Sequence, residues 1–462
     1  MLDANSVAQA CAALPGQLPD LDWITEPIKV NRLSSDFAWF SPVLKRTLAG
    51  KRADLVVRPR TEAEIRLVVA ACARAGVPIT PRGSGTGNYG QSTPLQGGVV
   101  LDLSAYGQPL WVRGGVGRAQ AGVKLGDFDR YAREHGQELR WLPSTYRTAT
   151  LGGLYGGGFG GAGSITYGPV AAIGNVLGVR VMTIEPEPRV LELRAPDALL
   201  LHHTYGTTGI VLELEVALAP AQDWLECIAI FDDFENGLRF ADDVARSPGL
   251  IKKEISFLGA PIPAYFNALS DSLPEGCHAV ILLVHPASEQ GMLECLARRG
   301  GQLSYRKTAQ EAQASARHLI EFTWNHTTLN ALKHDKSLTY IQSAFDPNRY
   351  VEQALEMESK LAGEVLMHLE FLRNREGQLT CSGLQIIRYR SDERLQEIMQ
   401  IHRDHGVGIN NPHVYIVEDG KQGRVNPDIV AMKARIDPDG LLNPGKLRGW
   451  EEHTARAAAP SA

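Results

Sequence analysis

PRGSGTGNYG, residues 81–90, decides the fold of this chain. Gly85, Gly87 and Gly90 spell G-x-G-x-x-G, the dinucleotide fingerprint of a nucleotide-binding βαβ unit. That fingerprint needs a helix opening at the loop, so that its N-terminus faces the pyrophosphate. Here the loop runs on into QSTPLQGGVVLDLS, where Pro94, Gly97 and Gly98 forbid a long helix before the chain resumes as a strand. A diphosphate bound by this loop has to be held by the loop's own peptide groups. Successive N–H groups in turn conformations form an anion nest. Glycine supplies positive φ and lets backbone approach a ligand closely. Arg82 is expected at the entrance as a fixed positive charge.

The bulk properties narrow the class. A chain of 462 residues, 44% hydrophobic and 21% charged, is expected to form more than one domain. Its 47 basic and 52 acidic side chains nearly balance, at a net charge of −5, which provides no electrostatic reason for a nucleic-acid or anionic-membrane partner. The six cysteines have no C-x-x-C spacing and read as buried thiols of a reducing compartment, neither a disulfide framework nor a metal site. The first residues lack the basic region and continuous apolar core of a signal peptide, and no stretch has the length of a membrane span. The expected location is cytoplasmic.

Outward from the loop the pattern is βαβ. DLVVRP is a strand, and Thr61 with Glu64 forms a capping box before a helix carrying Ile65, Val68, Val69 and Cys72 at helical spacing. Gly76 ends it, VPIT feeds the loop, and VVLDL follows. AQAGV near Val123 reads as another strand, and a helix through Phe128 and Tyr131 stops at Gly136. A second glycine-rich region, Pro143 to Gly178, holds too much glycine for a helix or a deep strand. It is too aromatic for a flexible linker, so it reads as backbone packed closely around something flat or charged. From Trp224 apolar strands (LECIAIF, HAVILLV, TCSGLQIIRY) alternate with amphipathic helices. The fold expected is α+β: a two-part nucleotide-binding domain and an α+β cap built on an antiparallel sheet. The boundaries read as an N-terminal extension (1–50), a binding domain (51–222), a cap (223–420), a return to the first domain (421–450) and a frayed tail (451–462).

These segments, in this order, resemble the flavoproteins of the vanillyl-alcohol oxidase / para-cresol methylhydroxylase superfamily, and within it the D-2-hydroxyacid dehydrogenases. The resemblance implies an FAD-binding domain of that type, with the pyrophosphate on Arg82, Gly83, Ser84, Gly85, Thr86, Gly87 and Asn88. It implies that the second glycine region passes the flavin at Pro143, Thr150, Gly152, Gly153, Gly160, Gly161 and Tyr167. The G-T-x-G-I element at Gly206 to Ile210 places Gly209 and Ile210 near the adenine, and the closing N-P-G-K contributes Asn443. Thr86 stands where covalently attached members often carry histidine, which implies non-covalent FAD. The H-x-G-D-G-N-x-H element of the hydroxyacid branch is absent, and DHGVG (404–408) is more simply a helix end with Gly406 at C′. No metal is expected.

The activity implied is oxidation of a small alcohol, with a 2-hydroxy acid favoured, by hydride transfer to flavin. A neutral histidine suits the base role. His413, in NNPHVY, and His326, in WNHTT, are the candidates for it, and Arg388 is the candidate for gripping a carboxylate. His202 and His203 read as structural, and the strand pair His368 and Glu370 as sharing one sheet face. Asp36 to Arg46 reads as a packing strap, or else as Trp39 and Phe40 lining the pocket. The partners expected are a small-molecule substrate and an unidentified electron acceptor, oxygen or a protein. Two rivals remain: a flavin-binding electron-transfer or assembly subunit without turnover, and an NAD-binding dehydrogenase, which the missing helix disfavours.

Overall fold

Leu55–Val57, Ile79–Arg82 and Val99–Asp102 are the short apolar strands expected around the loop, and they pair in parallel. Helix Glu62–Ala75 crosses between the first two, from Thr61, whose hydroxyl caps Glu64 N–H, to Gly76 at φ +64°. Only half of the expected capping box forms. The Glu64 carboxylate accepts from Arg60 N–H, one residue before the cap. The computed structural model describes residues 3–421 and 423–458. In it Trp23–Ile24 adds an antiparallel edge to this sheet, so part of the presumed N-terminal extension belongs to the domain.

A second sheet runs Pro109–Arg113, Val116–Gln120, Ile210–Pro220, Val176–Met182, Val190–Arg194, with Gln137–Leu139 also paired to Ile210–Pro220. The strand expected at AQAGV lies a few residues earlier, at Val116–Gln120. The glycine-rich region is not all irregular, contrary to expectation. Leu151–Gly157 is a two-turn helix, capped by Thr150 Oγ1 on Gly153 N–H at 3.2 Å, and Ser164–Tyr167 is a single turn. Leu151, Leu154 and Tyr155 bury one side of the first helix, and that burial outweighs the backbone entropy of its four glycines.

The cap carries an eight-stranded antiparallel sheet in the order Gln302–Lys307, Leu225–Phe231, His278–Val284, Lys252–Leu258, His368–Arg373, Leu379–Gly383, Gln342–Ala344, Gly408–Asn410. Its helices Phe234–Arg246, Glu289–Arg298, Tyr350–Lys360 and Asp392–Asp404 fall where amphipathic spacing puts them. Gly406, at φ +74°, ends the last. The sequence reading missed strand Lys252–Leu258 and helix Asn325–His334. One hydrophobic cluster joins the halves, with Phe128, Trp141 and Leu214 packed in the same core as Ile281, Leu283 and Tyr340. A buried ion pair pins the seam, Lys253 Nζ of the cap to Glu138 of the first domain at 2.7 Å. All six cysteines are buried and unpaired.

Helix Pro427–Ile436 brings the chain back to the first domain, where Ile79 N–H bonds Leu441 O and Asn443 N–H bonds Ile79 O. The presumed frayed tail instead continues as helix Arg448–Ala458, and 459–462 lie outside the described residues. Asp437 organises the return. Its buried carboxylate takes Lys433 Nζ at 2.7 Å and the N–H groups of Leu441 and Leu442. Asp437→Ala leaves that buried ammonium without its counter-charge, so it is expected to cost about 3–5 kcal/mol. Denaturant unfolding measures this, and a loss under about 1 kcal/mol contradicts the role.

Candidate functional site

Both glycine segments and the cap enclose one cavity of about 540 Å³. The strand Ile79–Arg82 delivers residues 83–88 to its wall with no helix following, as the sequence implies. Gly85 and Gly90 take positive φ, +66° and +72°. No backbone carbonyl among the described residues accepts the peptide N–H of Ser84 through Asn88. Asn88 adds a buried Nδ2 on the same wall with no protein partner. Such donors want an anionic acceptor.

What holds the loop open lies behind it. Lys446 is fully buried, and its Nζ donates to the carbonyls of Gly90 (2.6 Å), Gln91 (2.8 Å) and Thr93 (2.7 Å). Burial pushes its ammonium down to about 7, against the opposing pull of Asp36. Asn443, at φ +40°, donates Nδ2 to Gln91 O and Tyr205 O, tying the first loop to the G-T-x-G-I element. Arg82 differs from expectation. It is only 9% exposed, and its guanidinium is spent on Ser35 O (2.7 Å) and Ser92 Oγ (3.1 Å). Burial lowers its pKa, and it braces the loop from within.

Of the residues the sequence assigned to the cofactor, Arg82 to Asn88, Pro143, Thr150, Gly152, Gly153, Gly160 and Gly209 line the cavity. Helix Leu151–Gly157 turns Gly152, Gly153, Gly156 and Gly157 to it, a bare backbone face. Four assigned residues lie off the wall. Gly161 packs on Leu142, where a Cβ would come within 2.3 Å of backbone. Tyr167 lies under Arg140, Ile210 is in the sheet core, and Asn443 acts through the loops it ties.

The three residues assigned to catalysis are also off this wall. His413 is buried against Tyr340, with Nδ1 on Ser41 Oγ at 2.8 Å, and burial pushes its pKa down to about 4. His326 lines a separate pocket of about 270 Å³, its Nδ1 donating to Glu321 O at 3.1 Å. Arg388 is exposed at the end of strand Ile386–Arg388, beside Tyr265. Neighbours of both histidines do reach the cavity: Asn410 and Asn411 line it beside His413, as do Trp324 and Asn325 beside His326. The wall's imidazoles are His202 and His203 of the first domain, read from sequence as structural. The cap adds Gln342, Ser382, Leu384 and Arg375, which no motif marks; strand alternation and a turn place them there. Trp39 is exposed and Phe40 packs on Tyr340, and neither lines the cavity.

Directly behind Trp324 lies a buried polar cluster. Glu370 Oε1 accepts Trp324 N–H at 2.6 Å, Ser256 Oγ at 3.0 Å and His368 Nε2 at 2.7 Å. Glu254 Oε2 faces Trp324 Nε1 at 3.5 Å. Burial, with Glu370 alongside, holds Glu254 well above the carboxylate range. The bond from His368 and the Trp324 N–H hold Glu370 below its ordinary value despite burial.

Residues 53–193 match the FAD binding domain family. The glycolate oxidase subunit GlcD of Bacillus subtilis (strain 168) is 26% identical over 425 residues, 85% of this chain and 88% of its own. The subunit of the same name from Escherichia coli (strain K12) is 26% identical over 426 residues, 85% of this chain and 83% of its own. Among solved structures, alkyldihydroxyacetonephosphate synthase superposes with a TM-score of 0.69 at 16% identity, over 96% of this chain and 85% of that one, a likeness of fold alone. The protein is an FAD-binding oxidoreductase. The unengaged amides, the Asn88 amide and the glycine face fit that cofactor.

Two outcomes are expected. Lys446→Met removes three buried charge-assisted bonds and is expected to weaken FAD binding at least about tenfold, measured by titrating apoprotein. Unchanged affinity contradicts the brace. His413 stays neutral when folded while its unfolded value is 6.5, so the unfolded chain takes up a proton first as pH falls. Stability tied to neutral His413 is whole above pH 6.5 and fades toward pH 4, by about 3 kcal/mol. The wild type's advantage over His413→Gln in denaturant unfolding is expected to shrink over that range. An advantage independent of pH contradicts the assignment.

Proposed function

We propose that this chain, a member of the vanillyl-alcohol oxidase / para-cresol methylhydroxylase superfamily of FAD-linked oxidoreductases, oxidises a small 2-hydroxy acid. The observation that carries the reading is the composition of the cap's side of the cavity: neutral hydrogen-bonding side chains around one guanidinium, Arg375. A 2-hydroxy acid offers a carboxylate for that charge and a hydroxyl for the amides. The glycolate oxidase subunits, alike along most of the chain, support the same class.

FAD, when bound, supplies the acceptor for the hydride. The chain binds and orients the substrate, and the imidazoles of His202 and His203 on the wall are the groups able to take the hydroxyl proton as the hydride leaves. Arg375 takes the role the sequence suggested for Arg388, pairing the carboxylate with its planar fork. Asn410, Asn411, Gln342 and Ser382 are the hydrogen-bonding groups available to the hydroxyl, and Tyr89 OH fixes Gln342 by a 2.8 Å bond to its Oε1. Leu384 and Trp324 supply the apolar surface beside them. Holding both ends of so small a molecule orients its C–H bond, which is most of what the protein contributes to flavin chemistry. With Thr86 in the loop where a histidine would attach it, FAD is held non-covalently. The unpaired cysteines suit a cytoplasmic enzyme, and no described helix is long and apolar enough to cross a membrane.

Anaerobic mixing with glycolate, the lactate enantiomers and 2-hydroxybutyrate tests the reading. At least one is expected to bleach the flavin. Arg375→Met is expected to raise the half-saturating concentration roughly 10- to 100-fold, and Arg388→Met to leave it unchanged. If none of the acids bleaches the flavin, the substrate class is wrong and a non-catalytic flavin subunit becomes the better account.

A further inference from the structure

Trp324 is the most unusual residue on the cavity wall. It sits at φ +50°, ψ −137°, a backbone region that a bulky side chain almost never occupies. Such strain persists only where surroundings over-determine it, and it concentrates at functional positions. The surroundings here are the two buried carboxylates. Glu370, from strand His368–Arg373, takes the Trp324 backbone N–H, and Glu254, from strand Lys252–Leu258, faces the indole N–H. The fully buried His368 supports Glu370 from behind, with Nδ1 on Leu384 O at 3.3 Å. Main chain and ring are therefore gripped separately, from two adjacent strands of the cap sheet. The indole packs with Leu372 and Leu384, and its far edge reaches Gly160, where a Cβ would lie 3.7 Å from Cη2. Trp324 thus spans from cap to glycine segment on the cavity that the neutral groups and Arg375 also line.

We infer that Trp324 is the specificity-determining wall of this cavity, held by Glu254 and Glu370 as positioning residues, and that it limits how large a side chain the 2-hydroxy acid can carry. The inference rests on the substrate class proposed above. A flexible aromatic at this place would swing aside for a longer substrate. One fixed at its backbone and at its ring nitrogen cannot, so the size limit is built into the cap sheet.

The test uses FAD-loaded protein and measures binding of 2-oxo acids of increasing chain length, from glyoxylate to 2-oxohexanoate, by perturbation of the flavin spectrum. The same enzymes are then assayed with the matching 2-hydroxy acids. Wild type is expected to prefer the shorter members. Trp324→Ala is expected to shift the long-to-short affinity ratio by roughly tenfold or more, the scale of a methylene in a tight pocket. Trp324→Phe, which keeps a ring but loses the N–H, is expected to shift it less, in the same direction. Glu370→Ala is expected to relax selectivity as Trp324→Ala does, with Glu370→Gln restoring it because its carbonyl still accepts the Trp324 N–H. Equal weakening of all chain lengths in Trp324→Ala and Trp324→Phe overturns the inference alone, as does wild-type selectivity in Glu370→Ala. Wild-type protein that binds no 2-oxo acid and is reduced by no 2-hydroxy acid overturns the substrate class, and this inference with it.

Discussion

A peptide loop can aim its N–H groups at an anion only if its carbonyls are satisfied elsewhere, and that requirement shapes this molecule. Buried carbonyls need donors. Here Phe37 N–H takes Gly87 O, and just beyond it the buried ammonium of Lys446 makes three bonds, to the carbonyls of Gly90, Gln91 and Thr93. Asn443 adds another, again to Gln91. The returning segment 437–446 therefore organises a loop some 350 residues earlier. This explains why Asp437 and Lys433 form a buried pair just ahead: they fix the turn that presents Asn443 and Lys446. Arg82, the loop's own basic residue, is spent inside it on Ser35 O and Ser92 Oγ.

The parts of the structure that local chemistry specifies were legible in the sequence. The parallel unit around Leu55, Ile79 and Val99, four of the cap helices and the loop without a helix follow from periodicity, caps and breakers. The glycine-rich region was not fully legible. Counting glycine as a pure entropy cost ignores what Leu151, Leu154 and Tyr155 gain by burial and what Thr150 gains as a cap. Strand Lys252–Leu258 was hidden because it carries Lys253, Glu254 and Ser256 inward, charged and polar residues that obscure a strand pattern until their partners are known.

The glycine wall of the cavity was readable and the cap's wall was not, for one physical reason. Backbone recognition needs glycine and therefore leaves a trace in composition. The cap's contribution comes from Gln342, Arg375, Ser382, Asn410 and Asn411, ordinary polar residues on three strands and a turn that only the sheet order brings together. Histidine drew attention because its chemistry suits the reaction, yet burial of His413 and the carbonyl bond of His326 serve packing. Their neighbours Asn411 and Asn325 reach the cavity instead.

The most direct test of the central claim is a crystal structure of the protein with FAD. The account predicts the diphosphate within hydrogen-bonding distance of the peptide nitrogens of residues 84–88, with the Lys446 bonds intact behind them. A diphosphate held by a helix N-terminus or by basic side chains, with those nitrogens facing solvent, would contradict it.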